Sequence, residues 1–410
     1  MSNNFEKIAR RIDSYEKDMI EMQRELTAIP ALSPVNGGEG EVKKAKAILS
    51  FLEGMGFKEI LEFNAPHIAA PCGYRPNIIA IYKGKSDRKT IWIMSHMDVV
   101  PPGDLNMWKT DPYKIVVKDG KIYGRGTEDN QQSLVSSIFA VKAFWDEGIL
   151  PEYDVGLVFV ADEETGSQFG LSHILKEYKG FRKEDYILVP DSGNIDGSMI
   201  EIAEKSIIWI QFTTTGKQCH ASRPSKGVNS FKAASHLVVK LQELYNIFPA
   251  VNSLYDPPIS TFEPTKEESN VPNINTIPGK DIFCLDCRVL PEYPLEDVER
   301  TIRSMCDEIE QKFHVKIQMD YPNRDEAAPP TPVDAPVVKA IAKSIKDVYG
   351  VEPKPMGIGG GTVAALFRRA GFYVAACSKH DELAHQPNEY CRIENMVEET
   401  KVFAHLMLQE

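Results

Sequence analysis

Five short stretches of the chain put carboxylates and imidazoles beside apolar runs. The first is Ile91–Asp98, IWIMSHMD. Residues i and i+2 of a strand share a face, so His96 and Asp98 project together. A carboxylate beside a histidine is a common way to orient a metal-bound imidazole. The second, GRGTEDN over 124–130, sets Asp129 behind a glycine turn at the entrance of a helical pattern. Taken alone, Asp129 reads as a helix N-cap. The third, FVADEETG over 159–166, ends an apolar strand in Asp162, Glu163 and Glu164. Adjacent acids repel, so the cluster costs stability unless a cation offsets it. A solvated acidic turn is the even alternative. YILVPDSG ends another apolar strand at Asp191, and AHQPNEY places His385 in a loop before the last helix. Each stretch alone is modest evidence. Together they converge His, Asp and Glu in the way a pair of hard-to-borderline cations requires.

The elements between these stretches decide whether they can meet. Ile8, Ile12, Tyr15, Met19, Met22 and Leu26 form one apolar stripe at helical spacing, and a second helix over 40–55 ends at Gly54 and Gly56. Strands are expected at 77–82, 90–97, 154–161, 186–189 and 198–203. A helix carries Leu134, Ile138, Val141 and Trp145 between them. Strands alternating with helices imply an α/β layer with a largely parallel sheet, which gathers functional groups at the C-terminal ends of its strands. Near residue 206 the pattern changes. A strand over 207–215, a helix over 228–246, strands near 258–265 and 281–290, a helix over 294–312 and a strand over 314–321 give the β-α-β-β-α-β order of a ferredoxin-like unit. YPNRDEAAPPTPVDAP is the linker back to α/β pattern, with a helix over 336–349, a Gly-rich turn, a strand over 372–377 and a helix over 392–408. Residues 1–205 and 322–410 therefore form one domain, and 206–321 a second inserted into it.

Composition narrows the partners. The 410 residues are 42% hydrophobic and 26% charged, and carry a net charge of -12. An acidic chain lacks the basic face that nucleic acid requires. No apolar run approaches the roughly 20 residues that span a bilayer, and the charged N-terminus lacks the apolar core of a signal peptide. The expectation is a cytoplasmic protein. Cys284 and Cys287 form a CxxC within a strand but have no second pair, so they read as strand packing.

Taken in order, SHMDVVPPG, DGKIYGRGTEDN, DEETGS, PDSG, GKQCHASRP, NTIPG, DCRVLPEY, GGGT and AHQPNEY resemble the co-catalytic dizinc peptidase and amidohydrolase family of aminoacylase, carboxypeptidase G, acetylornithine deacetylase, succinyl-diaminopimelate desuccinylase and related dipeptidases. The resemblance covers nearly the whole chain. It implies an α/β catalytic domain with an inserted ferredoxin-like α+β lid and dimerisation domain. It implies two zinc ions, or cobalt or manganese, with His96 and Asp191 on the first, Glu164 and His385 on the second, and Asp129 bridging. Glu163 would be general base and Asp98 would orient His96. His220 would stabilise the oxyanion, in some relatives from the partner subunit of a dimer. Asn275, Arg288 and the Gly360, Gly361 and Thr362 turn would hold the substrate. The Asp129–Asn130 peptide bond would be cis. This chain departs from the pattern at two places: Asn130-Gln131-Gln132 stands where many relatives have Met-Lys-Gly, and Val363 where many have Asp. Both positions surround the substrate. Asp191 is Glu in the familiar deacetylases but Asp in several dipeptidases, which favours a peptidase.

The chemistry implied is amide hydrolysis of a small carboxylate-bearing substrate, a peptide or an N-acyl amino acid. Glu163, adjacent to Glu164, would take a proton from the attacking water and deliver it to the leaving amine. Arg288 offers two prongs to a carboxylate, although Asp286 on the same strand face could occupy them. An N-acyl amino acid deacylase is the alternative within enzymes. A metal-binding protein without turnover is the alternative outside them, and the presence of Glu163 argues against it.

Overall fold

The computed structural model describes residues 3–410. The chain divides into two compact units. One comprises Met1–Ile202, Pro329–Pro355 and Thr362–Glu410, the other Ala203–Ala328 and Met356–Gly361.

An eight-stranded sheet organises the larger unit. Its order is Glu59–Glu62, Ile78–Tyr82, Tyr153–Val160, Ser86–His96, Tyr186–Val189, Val374–Ala376, Met199–Glu204 and Lys354–Ile358. The sheet is mixed. The four strands from Tyr153–Val160 to Val374–Ala376 run parallel, and the neighbours Ile78–Tyr82 and Met199–Glu204 pair antiparallel to them. Every residue of Tyr153–Val160 is buried. That is the near-continuous apolar pattern of a strand covered on both faces. Trp92 is 1% exposed and lies across from Gly156. A Cβ at Gly156 would come within 2.0 Å of the indole, so the ring requires a glycine there. Helices Asn3–Asp13, Glu16–Thr27, Gln131–Glu147, Pro336–Tyr349 and Ile393–Met407 pack together in this unit. The expected N-terminal helix is thus two helices, broken at Ser14–Tyr15, and all six residues of its stripe are buried.

Two strands of this eight-stranded sheet went unread in the sequence. Glu59–Glu62 is mostly exposed and shows no apolar alternation, and Lys354–Ile358 contains Pro355 and Gly357. Both are edge strands, where Pro and charge are tolerated.

The smaller unit has a four-stranded antiparallel sheet in the order Thr261–Glu267, Lys280–Val289, Ser206–Thr215 and Lys316–Asp325. With helices Ser230–Leu241 and Leu295–Phe313 on Ile208, Ile210, Phe212, Leu285 and Cys287, this is the ferredoxin-like order. The last strand continues past residue 321 into the stretch read as linker. It carries Pro322 at the sheet edge, where no ladder N–H is needed. Cys287 is buried in this core and all seven cysteines are free.

Candidate metal centre

Parallel order explains why the motifs meet. The adjacent strands ending at Val160, His96, Val189 and Ala376 deliver Glu163–Glu164, His96, Asp191 and the loop with His385 from the same sheet edge. Asp129 arrives from the start of helix Gln131–Glu147.

Asp129 stands between the two histidines. His96 Nε2 is 2.9 Å from its Oδ1, and His385 Nε2 is 3.4 Å from its Oδ2. His96 Nε2 is also 3.5 Å from Asp191 Oδ1, and His385 Nε2 is 3.0 Å from Glu164 Oε2. Ligand-type atoms of His96, Glu163 and Asp191, and of His96, Asp129 and Glu164, lie within 4.8 Å of one another. Two imidazole nitrogens amid carboxylate oxygens are a donor set that fits divalent zinc, cobalt or manganese. Glu163 lies close enough to His96 and Asp191 to be grouped with them by distance. By distance alone Glu163 qualifies as a ligand as well as Asp191 does.

The supporting hydrogen bonds fix which atoms face inward. His96 Nδ1 donates to the main-chain oxygen of Asp98 at 3.0 Å, which leaves Nε2 free to coordinate. Asp98, 1% exposed, accepts the backbone N–H groups of Glu163 and Glu164, each at 3.1 Å. The peptide bond Asp129–Asn130 is cis. Asn130 Nδ2 donates to Asp191 Oδ1 at 2.9 Å and to the Pro190 carbonyl at 2.8 Å.

Electrostatics describe a site with surplus negative charge. Burial disfavours a charged His96, but Asp191, Asp129 and Asp98 outweigh it and raise its pKa well above the ordinary value. Hydrogen bonds to Asp129 and Glu164 push His385 up to about 10. Burial opposes ionisation of Asp129, yet the two histidines hold its carboxyl below the usual range. Burial first, and then Asp191, Glu164 and Asp98, raise Glu163 well above a normal carboxyl. Such a cluster attracts cations.

Three further carboxylates escaped sequence reasoning. Glu389 is buried, takes a hydrogen bond from Arg125 at 2.6 Å, and accepts the N–H groups of Gly126, Glu128 and Asp129. Glu128 accepts from the N–H groups of Asp381 and Leu383 in the loop that carries His385. Each motif thus braces the other. Both residues were visible, in GRGTEDN and AHQPNEY, but nothing in the sequence pairs them. Glu399 on the last helix, 1% exposed, accepts from Ser378 at 2.7 Å and Ser133 at 2.9 Å.

The remaining candidates belong to the smaller unit, apart from Thr362. His220 pairs across a two-stranded ribbon with Thr276, and Ala221 N–H donates to the Asn275 carbonyl, so His220 and Asn275 are neighbours. His220 is exposed, and its Nδ1 accepts from Ser222 N–H at 3.1 Å, which places the proton of the neutral ring on Nε2. Arg288 differs from an open fork. Its Nε and Nη2 donate to Asp286 at 2.6 and 3.0 Å, and Nη1 donates to the Gly359 carbonyl at 2.9 Å, at the foot of the Gly360–Gly361 turn. Thr362 lies across the unit boundary, its Oγ1 accepting from Ala364 N–H at 3.2 Å.

A family model described as peptidase family M20/M25/M40 matches residues 92–409. The chain is 40% identical to the uncharacterized metallohydrolase of Methanococcus maripaludis, over 95% of this chain and 98% of that one. It is 24% identical to the succinyl-diaminopimelate desuccinylase of a Nitratiruptor species, over 91% and 94%. The fold is similar to that of human carnosine dipeptidase 1, with a TM-score of 0.77 at 20% identity, covering 99% of this chain and 98% of that one.

Proposed function

The chain belongs to peptidase family M20/M25/M40 and is a hydrolase of amide or peptide bonds, and from that premise we propose that it is a zinc-dependent dipeptidase or exopeptidase acting in the cytoplasm on small carboxylate-bearing peptides. The observation that carries the reading is Asp129, with one carboxylate oxygen toward His96 and the other toward His385. His96 and Asp191 would hold one zinc, Glu164 and His385 the other, and Asp129 both. When bound, the metal pair supplies Lewis acidity to the scissile carbonyl and the attacking water. Glu163 would take a proton from the attacking water and return it to the leaving amine. Asp98 positions both partners, since it fixes the Glu163–Glu164 turn and stands beside His96.

His220 is assigned to the oxyanion, and Asn275, Gly360, Gly361 and Thr362 to the substrate's polar end. Arg288, bound to Asp286 and the Gly359 carbonyl, is assigned to the shape of that turn as much as to the substrate. We read the smaller unit as the surface of a homodimer. Its sheet ends in the edge strand Thr261–Glu267, and beside it Phe231 is 47% and Val239 66% exposed. Unpaired strand edges invite pairing with a second copy.

Deacylation of N-acyl amino acids is the second reading, favoured by the desuccinylase relative. A panel of dipeptides, N-acetyl and N-succinyl amino acids, with zinc, manganese or cobalt added, separates the two. Turnover of dipeptides supports the first. Turnover of acylated amino acids alone replaces it with the second.

A further inference from the structure

The turn Asp162–Glu163–Glu164 carries three carboxylates, and the chemistry above uses two of them. Asp162 is buried, and its backbone is left-handed, with φ 64°. A residue with a Cβ holds that conformation at a cost, which its surroundings must offset. Contacts converge on Asp162 from several sides. Its Oδ1 accepts from Arg75 Nη1 at 3.3 Å and from the Thr165 hydroxyl, and its Oδ2 accepts the Phe169 N–H at 3.0 Å. Its carbonyl accepts the Ser167 N–H at 2.6 Å. Arg75, on the short strand Tyr74–Arg75, is 1% exposed. Its Nε donates to Glu41 Oε2 at 2.6 Å and its Nη2 donates to the other Glu41 oxygen, so Glu41 takes two prongs of the guanidinium. The remaining nitrogen, Nη1, turns to Asp162 and to the Ser33 hydroxyl at 3.2 Å. One buried cation therefore ties Glu41, at the start of helix Val42–Leu52, to the turn that bears Glu163 and Glu164.

We propose that Arg75 is a positioning residue for hydrolysis, acting through Asp162 to hold the left-handed turn that sends Glu163 and Glu164 to different partners. Past that turn Glu164 meets His385 at 3.0 Å, while Glu163 lies with His96 and Asp191. Asp98 holds the N–H groups of both glutamates, and Arg75 with Asp162 holds the residue before them. An ion pair that served the fold alone would be complete with Glu41. The arm to Asp162 is what reaches the site. A lysine cannot replace it, because an ammonium lacks the planar fork that meets two carboxylates at once. A displacement of about 1 Å at a reacting group is enough to cost about 100-fold in rate. The inference rests on the hydrolase reading above and adds to it a residue distant in sequence from the groups assigned to the metals and the proton.

The test cuts the link from both sides in the full-length protein. Asp162→Asn leaves the Arg75–Glu41 pair whole and suits a left-handed backbone, but gives up one of the two acceptors. Arg75→Lys keeps the charge and removes the fork. In zinc-loaded protein each should lower kcat about 10- to 100-fold and leave KM within about 3-fold. The double variant should cost no more than the worse single variant, since both cut the same link. A second readout needs no substrate. Chelator-stripped protein is titrated with cobalt and followed by visible absorption, and in Asp162→Asn the weaker-held ion should lose about 10-fold in affinity. Lower stability alone moves neither quantity in protein that stays folded, and denaturant melts identify the conditions in which each variant is folded. If Arg75→Lys does not fold, Asp162→Asn decides alone. Wild-type kcat and cobalt affinity in the folded variants, or additive losses in the double variant, overturn the proposal and leave the hydrolase reading intact. No turnover of dipeptides or acylated amino acids by the wild type takes down that reading, and the role in hydrolysis with it.

Discussion

Oδ1 of Asp98 accepts the backbone N–H of Glu163 at 3.1 Å, while the same carboxylate accepts the N–H of Glu164 through its other oxygen. A strand-end acid thus fixes the turn after the neighbouring strand, where Glu163 and Glu164 stand side by side. Asp98→Asn turns one of those oxygens into a donor facing a donor. Zinc affinity and kcat/KM are expected to fall about 10- to 100-fold, in the range for partners that orient metal ligands. Metal titration and steady-state kinetics read both. Wild-type values in both would mean the turn is held by other contacts.

Glu163 and Glu164 are adjacent in sequence but have different partners. Glu164 meets His385 at 3.0 Å, whereas Glu163 faces His96 and Asp191. Glu163→Gln should lower kcat about 100- to 10,000-fold and keep both metals, as expected for loss of a general base. Glu164→Ala should lose one metal equivalent. Elemental analysis showing the reverse pattern would exchange the two roles.

Glu399 provides a pH signature away from the metal ligands. Burial raises its carboxyl from an ordinary 4.5 to about 7, despite hydrogen bonds from Ser378, Ser133 and Gln132. The folded state therefore holds the proton more tightly than the unfolded state. This contribution to stability is full below pH 4.5 and is lost as pH rises through about 7. Glu399→Gln has no such titration, and the serine hydroxyls can turn to suit its amide. Between pH 4.5 and 8, wild type should lose about 2–3 kcal/mol relative to the variant, at about 1.4 kcal/mol per pKa unit. Parallel stability curves from denaturant melts would contradict it.

His220 tests the proposed dimer. His220→Ala and Glu163→Ala should each be inactive alone. If His220 serves the partner subunit, exchanging subunits between the two places both defects in one site and neither in the other, so activity partly returns. Failure to recover despite proven exchange would assign His220 to its own chain, and a monomer by sedimentation would remove the premise.

Much of this was legible in the sequence because strands announce themselves by apolar runs. His96, Glu163, Glu164 and Asp191 each follow such a run, and parallel order brings the ends of those runs together. Burial on both faces makes strands such as Tyr153–Val160 unmistakable. The N-terminal stripe was also plain, but its break at Ser14–Tyr15 was not, since apolar spacing continues across it. Edge strands such as Lys354–Ile358 hid because their composition resembles that of loops. The reciprocal bracing of Glu128 and Glu389, and the clamp of Glu399 on Ser133 and Ser378, link residues far apart in sequence. No local pattern encodes such pairs, which arise only when loops from separate strands are packed together.

Stepwise reconstitution shows whether hydrolysis needs two metal ions. The protein is stripped with a chelator, and dipeptide hydrolysis is followed as zinc is added in known equivalents. Activity should be absent without metal and should rise until two equivalents are bound per chain. Full activity in metal-free protein, or saturation of activity at a single bound equivalent, would rule out a two-metal hydrolase.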